Sequence, residues 1–188
     1  MLFPIVASFL LLVGSVTAQT CNGNAALCSR KYSNVTFIGA HDSAFVGILP
    51  TDNQLESVTS QLNGGIRFLQ AQTHLKSGVL ELCHTTCTEK DAGTLVSYLT
   101  TINTWMVANP NEVVTLLLTN GDGAAVSMFG AAMTTSGLSQ FAYSPGSKLS
   151  MSQWPTLQEM ISAGDRLVMF LGECFASFSL PSRVYSDD

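Results

Sequence analysis

The stretch Val113-Val114-Thr115-Leu116-Leu117-Leu118 constrains the fold most. Six β-forming or apolar residues without polar alternation make a strand only where both faces of the sheet are covered. The segment before it, 91–109, places Leu95, Leu99, Ile102, Trp105 and Met106 on one helical face and meets Pro110 at its end. A buried strand fed by an amphipathic helix is part of a βαβ unit. Similar runs at 35–40, 66–71 and 166–171 read as three further strands. Lys76-Ser77-Gly78 reads as a turn into an extended piece at 79–83. A helix is expected over 51–62, with Leu55, Val58 and Leu62 on one face, Thr51 or Asp52 near its N-cap and Asn63-Gly64-Gly65 as its stop. Two more helices are expected over 124–135 and 156–163, the second ending at Gly164, with 139–150 as loop. Strands alternate with helices, which argues for a parallel sheet with right-handed crossovers.

The chain has 188 residues, and its beginning reads as a leader. Residues 1–20 carry no charged side chain, Phe9 to Val13 is apolar, and Val16-Thr17-Ala18 supplies small residues for cleavage after Ala18. The apolar run is short for a membrane span of about 20 residues. About 170 residues remain, enough for one domain with a sizeable core. Thirteen acidic and 8 basic residues give a net charge of −5, which is not the basic footprint of a nucleic-acid binder. A secreted chain permits disulfides. Of the 5 cysteines, Cys21/Cys28 and Cys83/Cys87 form two local pairs, and Cys174 is left over. Local bridges are the simplest pairing, although four cysteines allow three connectivities. Zinc on Cys83-His84-Thr85-Thr86-Cys87 is the rival, with ligand spacing that suits it poorly. Asn34-Val35-Thr36 is a glycosylation sequon.

Chemistry gathers at strand ends. His41 follows the first strand and His84 follows the hairpin after the second. In parallel α/β sheets and barrels, residues at strand C-termini converge on one face. Two imidazoles there can serve one substrate, one as general base and the other as general acid. Asp42 can orient an imidazole. Ser43 is a nucleophile in principle, but no G-x-S-x-G elbow surrounds it. His74 reads first as a hydrogen-bonded turn residue. Each histidine also has a purely structural reading.

The segments FIGAHDSAF, GGIRFLQAQTH, LCHTTC and NPNEVVTLLLTNGDG, in this order, resemble the X domain of phosphatidylinositol-specific phospholipase C, in the form found in secreted fungal PLC-like phosphodiesterases. The resemblance runs from about Cys21 to Leu171. It implies a TIM-type (β/α)8 barrel and a secreted phosphoric diester hydrolase acting on a phospholipid or inositol phosphate, with at most peripheral membrane contact. It places the general base on His41, the general acid on His84, and support for the base on Asp42. The family's reaction uses an internal hydroxyl as nucleophile, and the transition state gathers charge on phosphoryl oxygens.

Two departures stand out against that resemblance. Where relatives carry an Asp and an Arg, or acidic calcium ligands, this chain has Gln70 and Gln72. Amides hold calcium weakly, so no cofactor is expected, and the two glutamines become candidates for binding substrate. Arg67 is a third substrate-binding candidate, although Gly-Ile-Arg is a shared family feature and favours a structural role. The second departure is length. A barrel needs eight strands in roughly 250 residues, and only four are read here, about four β/α units of its N-terminal half. Residues 172–188 lose the strand-helix pattern and suggest a splice or gene-model artefact. A secreted binding protein without catalysis and a truncated, non-functional fragment are the alternatives to an enzyme.

Overall fold

A computed structural model describes residues 19–172 and the backbone of 185–186. The expected leader at 1–18, Cys174 and most of the divergent tail lie outside the described residues. The sheet is ordered β4-β3-β2-β5-β6-β7, with β1 paired to β2. Its parallel part joins β1 (Gly39–Ala40), β2 (Phe68–Lys76), β5 (Val114–Asn120), β6 (Leu167–Gly172) and β7 (Tyr185–Ser186). An antiparallel extension adds β3 (Val79–Cys83) and β4 (Asp91–Thr94) to the C-terminal end of β2. Helices α1 (Val58–Asn63), α2 (Leu95–Ala108), α3 (Val126–Thr135) and α4 (Leu157–Ala163) lie between the strands in sequence.

The expected strands and helices are present, with shifted borders that have local causes. The first strand shrinks from 35–40 to two residues. Tyr32–Asn34 forms a turn of 3-10 helix, and Val35 and Phe37 pack into a lower cluster instead of a ladder. Gly39 allows β1 to approach β2 closely, since a Cβ there would lie 2.6 Å from Phe68 Cδ1. The first helix starts at Val58 rather than near Thr51, because the Ser57 hydroxyl caps the Ser60 N–H. Asp52 is no cap; it accepts from the Leu49 N–H and pairs with Lys90, and Leu55 is exposed. The long helix starts at Leu95, not Asp91. Residues 91–94 pair with β3, and the Thr94 hydroxyl then caps Ser97. Strand β2 runs on to Lys76, because Ser77 and Gly78, both with positive φ, turn the chain directly into β3. For α4, Thr156 and Glu159 form a reciprocal cap that starts the helix one residue after Thr156, and Gly164 ends it in the left-handed region, where the sequence places its end.

Two apolar clusters hold these elements. The larger packs Leu95, Leu99, Ile102 and Met106 of α2 with Leu69, Ala71, Leu116, Leu118 and the fully buried Phe45. Burying one such leucine contributes about 1.5–3 kcal/mol. The smaller joins the N-terminal segment to β5, β6 and α4 through Tyr32, Val113, Trp154, Leu157 and Val168. Within it the rings of Tyr32 and Trp154 stack with centroids 4.6 Å apart. The Asn22 side chain takes up both the N–H and the C=O of Val113, as a strand neighbour would.

Cys21 is bridged to Cys28 and Cys83 to Cys87. The local pairing therefore holds, and the zinc alternative falls because both sulfurs of its cluster are bonded to each other. Asn34 of the sequon is exposed. Among the described residues, no helix is long and apolar enough to cross a membrane.

Candidate active site

Parallel register decides which side chains share a face. Ala40 pairs with Leu69, so the chain just beyond Ala40 comes level with Gln70, and Gln70 lies opposite Leu117. Two residues on, Gln72 lies opposite Thr119. Alternation along β2 puts Gln70, Gln72 and His74 on one face and sends Leu69, Ala71 and Thr73 into the interior. His41 leaves β1 at this level, and His84 leaves β3 beside Cys83.

The two histidines meet at one atom. Asp42 Oδ2 lies 3.1 Å from His41 Nε2 and 3.7 Å from His84 Nε2. The same oxygen accepts a 2.9 Å hydrogen bond from the Gln72 amide. The Asp42 side chain is fully buried, whereas the side chains of His41 and His84 are 70% and 25% exposed. Its other oxygen, Oδ1, is buried without a hydrogen-bond partner among the described residues. One carboxyl group thus sits between two rings that solvent reaches. With His41 Nε2 turned to the carboxylate, Nδ1 is the nitrogen left to take a proton.

The backbone around both rings is unusual. Asp42 and Thr85, each directly after a histidine, have φ of 49° and 61°. Left-handed conformations cost non-glycine residues about 1–2 kcal/mol each, and a β-branched threonine there is an outlier. Such conformations persist only where their surroundings over-determine them. Here the Asp42 N–H donates to Gln70 Oε1 at 2.7 Å, and the Thr85 N–H donates to Gln72 Oε1 at 3.1 Å. The Gln54 amide holds the His41 carbonyl at 2.6 Å.

The loop bearing His84 is closed on itself by the Cys83–Cys87 bridge, and the His84 N–H donates to the Lys90 carbonyl at 3.1 Å. The Phe45 ring lies 5.4 Å from the His84 ring, centroid to centroid. Lys90 Nζ reaches Asp52 Oδ1 at 2.5 Å and the Val46 carbonyl at 3.2 Å, joining the loop after His41 to the loop after His84. The Lys90 hydrogen bond first, then the Leu49 N–H, with a smaller part from His84, holds the Asp52 carboxyl below its ordinary range. Gly47 is needed beside it, since a Cβ would lie 2.1 Å from Asp52 Oδ2. This Asp52–Lys90 clasp escapes a reading of the sequence, because neither residue belongs to a motif.

The remaining candidates separate cleanly. Ser43 is fully buried; its hydroxyl donates to the Gln70 carbonyl at 3.0 Å and lies 2.7 Å from Tyr98 Oη, so it is walled off from any substrate. Arg67 lies just before β2, at the end of that strand opposite to His74. Its guanidinium binds Glu112 at 2.8 Å and the Leu62 and Ile66 carbonyls, and covers the Trp105 ring at 4.7 Å. That placement favours the structural reading of Arg67 over the substrate-binding one. His74 Nδ1 lies 3.1 Å from Asp122 Oδ1, and Asp122 Oδ2 accepts from the Leu75 N–H at 2.7 Å. Gln70 and Gln72 offer calcium only two neutral amide oxygens, each shared with a backbone N–H, a weak set for an ion that takes about 6–8 oxygens with carboxylates among them.

Comparison with known proteins gives the family and the fold. The family described as PI-PLC X 1 matches residues 27–180. A protein of Arthroderma benhamiae named PI-PLC X domain-containing protein 1 is 50% identical over 159 residues, which are 82% of this chain and 52% of the relative. A second protein of that fungus, named an uncharacterized secreted protein, is 45% identical over 156 residues, 81% of this chain and 35% of the relative. The chain thus spans about half the length, or less, of these curated relatives. Among solved structures, the phosphatidylinositol-specific phospholipase C of Listeria monocytogenes superposes with a TM-score of 0.62 at 16% identity, over 85% of this chain and 59% of that one. A mutant of the corresponding enzyme of Staphylococcus aureus gives 0.58 at 18% identity, over 77% and 49%. With a family match over most of its length, and with the fold of these enzymes, the chain belongs to the PI-PLC X domain family.

Proposed function

We propose that this protein is an extracellular phosphodiesterase of the phospholipase C type. On this reading β1, β2, β5 and β6 are successive strands of a (β/α)8-type barrel, with the site at their C-terminal ends. The observation that carries it is the convergence of His41 and His84 on the single buried carboxylate of Asp42. His41 removes the proton from a hydroxyl next to the phosphate. That oxygen attacks phosphorus, and the bond from phosphorus to the leaving alcohol breaks. His84 gives its proton to the departing oxygen, and Asp42 faces whichever ring carries the positive charge. The product is a cyclic phosphodiester plus a free alcohol. A base and an acid placed this way contribute typically 10²–10⁴-fold each.

A lipid substrate is supported by the loop after His41, which exposes Ile48, Leu49 and Leu55 at 91%, 61% and 80%. Such residues lose apolar area to a membrane surface at little cost elsewhere. An extracellular location is supported by the two disulfides and by a relative named as secreted. The test follows 31P NMR of phosphatidylinositol vesicles with the purified chain. A cyclic phosphodiester appearing before any monoester is expected. Phosphatidylinositol left intact, while inositol phosphates bind, would replace the enzyme with a binding protein whose site lost its phosphate cation at Gln70 and Gln72.

A further inference from the structure

We propose that Gln70 and Gln72 are positioning residues, not phosphate ligands: each holds in place the left-handed residue that aims one of the two histidines. The proposal rests on the assignment of His41 and His84 made above and gives the pair a mechanical basis.

The two glutamines stand two apart on one face of β2. Each presents its amide oxygen to the backbone N–H of the residue following a histidine, Gln70 to Asp42 and Gln72 to Thr85. Those two are the non-glycine residues at the site with positive φ. An N–H in such a turn has no ladder partner, and here a side chain supplies the acceptor. A strand is a rigid place from which to do so. Gln72 also donates to Asp42 Oδ2, the atom both rings face. A glutamine has an acceptor and a donor on one planar head, so Gln72 can tie Thr85 and Asp42 together at once. Arginine at the same place has no acceptor and cannot hold the Thr85 N–H. The chemistry of the amide therefore matches the two backbone donors and the carboxylate better than it matches a phosphodiester anion.

Four variants separate the roles. Gln70→Leu and Gln72→Leu remove the acceptors. Gln70→Glu and Gln72→Glu keep an oxygen where the amide oxygen stands. Amide hydrogen exchange of Asp42 and Thr85 is read alongside kcat and KM in the full chain. The proposal expects Gln70→Leu to speed exchange at Asp42 and Gln72→Leu to speed it at Thr85, each by about tenfold, the factor that a net hydrogen bond of ordinary strength supplies. Gln70→Glu keeps the protection at Asp42; Gln72→Glu keeps an acceptor for the Thr85 N–H but loses the donor to Asp42 Oδ2 and sets a second carboxylate against it, so its kcat falls. In the Leu variants kcat falls by about 10²-fold, the effect of an ångström of misplacement, with KM within a few-fold. Protection unchanged in the Leu variants, or KM rising with kcat intact, overturns it. The exchange readout stands even if the wild-type protein turns over nothing, so loss of the catalytic reading and loss of this one are told apart.

Discussion

Replacing Ser43 by alanine distinguishes a structural hydroxyl from a nucleophile. The side chain is fully buried, between the Gln70 carbonyl at 3.0 Å and Tyr98 Oη at 2.7 Å. The Gln70 carbonyl keeps a partner in the variant, because the Ser43 backbone N–H also donates to it, at 2.8 Å. Tyr98 Oη does not, and an orphaned buried hydroxyl costs about 1–3 kcal/mol. We therefore expect Ser43→Ala to lower stability by about 2 kcal/mol, near 6 °C in Tm for a domain of this size. Tyr98→Phe alone leaves the serine with its bond to Gln70, so it costs less. The double variant should recover about 1 kcal/mol of the summed losses, because both ends of the lost bond are gone. Urea unfolding followed by circular dichroism gives these values, and turnover on phosphatidylinositol is measured beside them. Turnover should stay within a few-fold of wild type. Turnover down 10³-fold or more with stability unchanged would make the hydroxyl a reacting group and refute the reasoning.

Replacing Cys83 and Cys87 by serine opens the ring around His84; chain entropy alone puts the loss near 2 kcal/mol, and kcat should drop with it, as unfolding and turnover curves will show. Burial pushes the Tyr32 phenol up to about 12, against the opposing hydrogen bond to Thr115. The folded state thus favours the protonated phenol, so its contribution of about 3 kcal/mol is full below pH 10 and is lost as pH rises toward 12. Tyr32→Phe should flatten that part of the stability profile, and an unchanged slope would show that Tyr32 ionises freely. Arg166 is buried and donates to the carbonyls of Met106 and Asn109 at the end of α2 and of Glu112 in the turn before β5. Arg166→Met should cost about 3 kcal/mol with kcat unchanged in the folded protein, because it precedes β6 at the end away from the histidines.

The features of the fold and site visible in the sequence are those set by short-range rules. Unbroken apolar runs mark β5 and β6, helical spacing marks α2, and a strand-end rule brings His41 and His84 to one face. The end of α4 was legible at Gly164, but the start of α1 at Ser57 was not, because Thr51 and Asp52 compete with it. Asp52 was misread because its partner Lys90 comes from a distant loop. Residues 91–94 carry a helical pattern into what is a strand, because pairing with β3 outweighs weak propensity there. The glutamines were recognised as departures, yet residue type does not reveal which atom is engaged. Their oxygens meet backbone donors that exist only once Asp42 and Thr85 adopt positive φ.

The separate roles of the two histidines are tested most directly by leaving-group dependence. Wild type, His41→Ala and His84→Ala are assayed on phosphatidylinositol and on an inositol phosphodiester with an aryl leaving group, which departs without a proton. On the lipid, both variants should lose about 10²–10⁴-fold, the worth of a general acid or base. On the aryl ester, His84→Ala should recover to within about tenfold of wild type, since the acid is no longer needed, and His41→Ala should stay impaired. Equal losses on both substrates for both variants, or no loss in either, would contradict the assignment of His41 as base and His84 as acid.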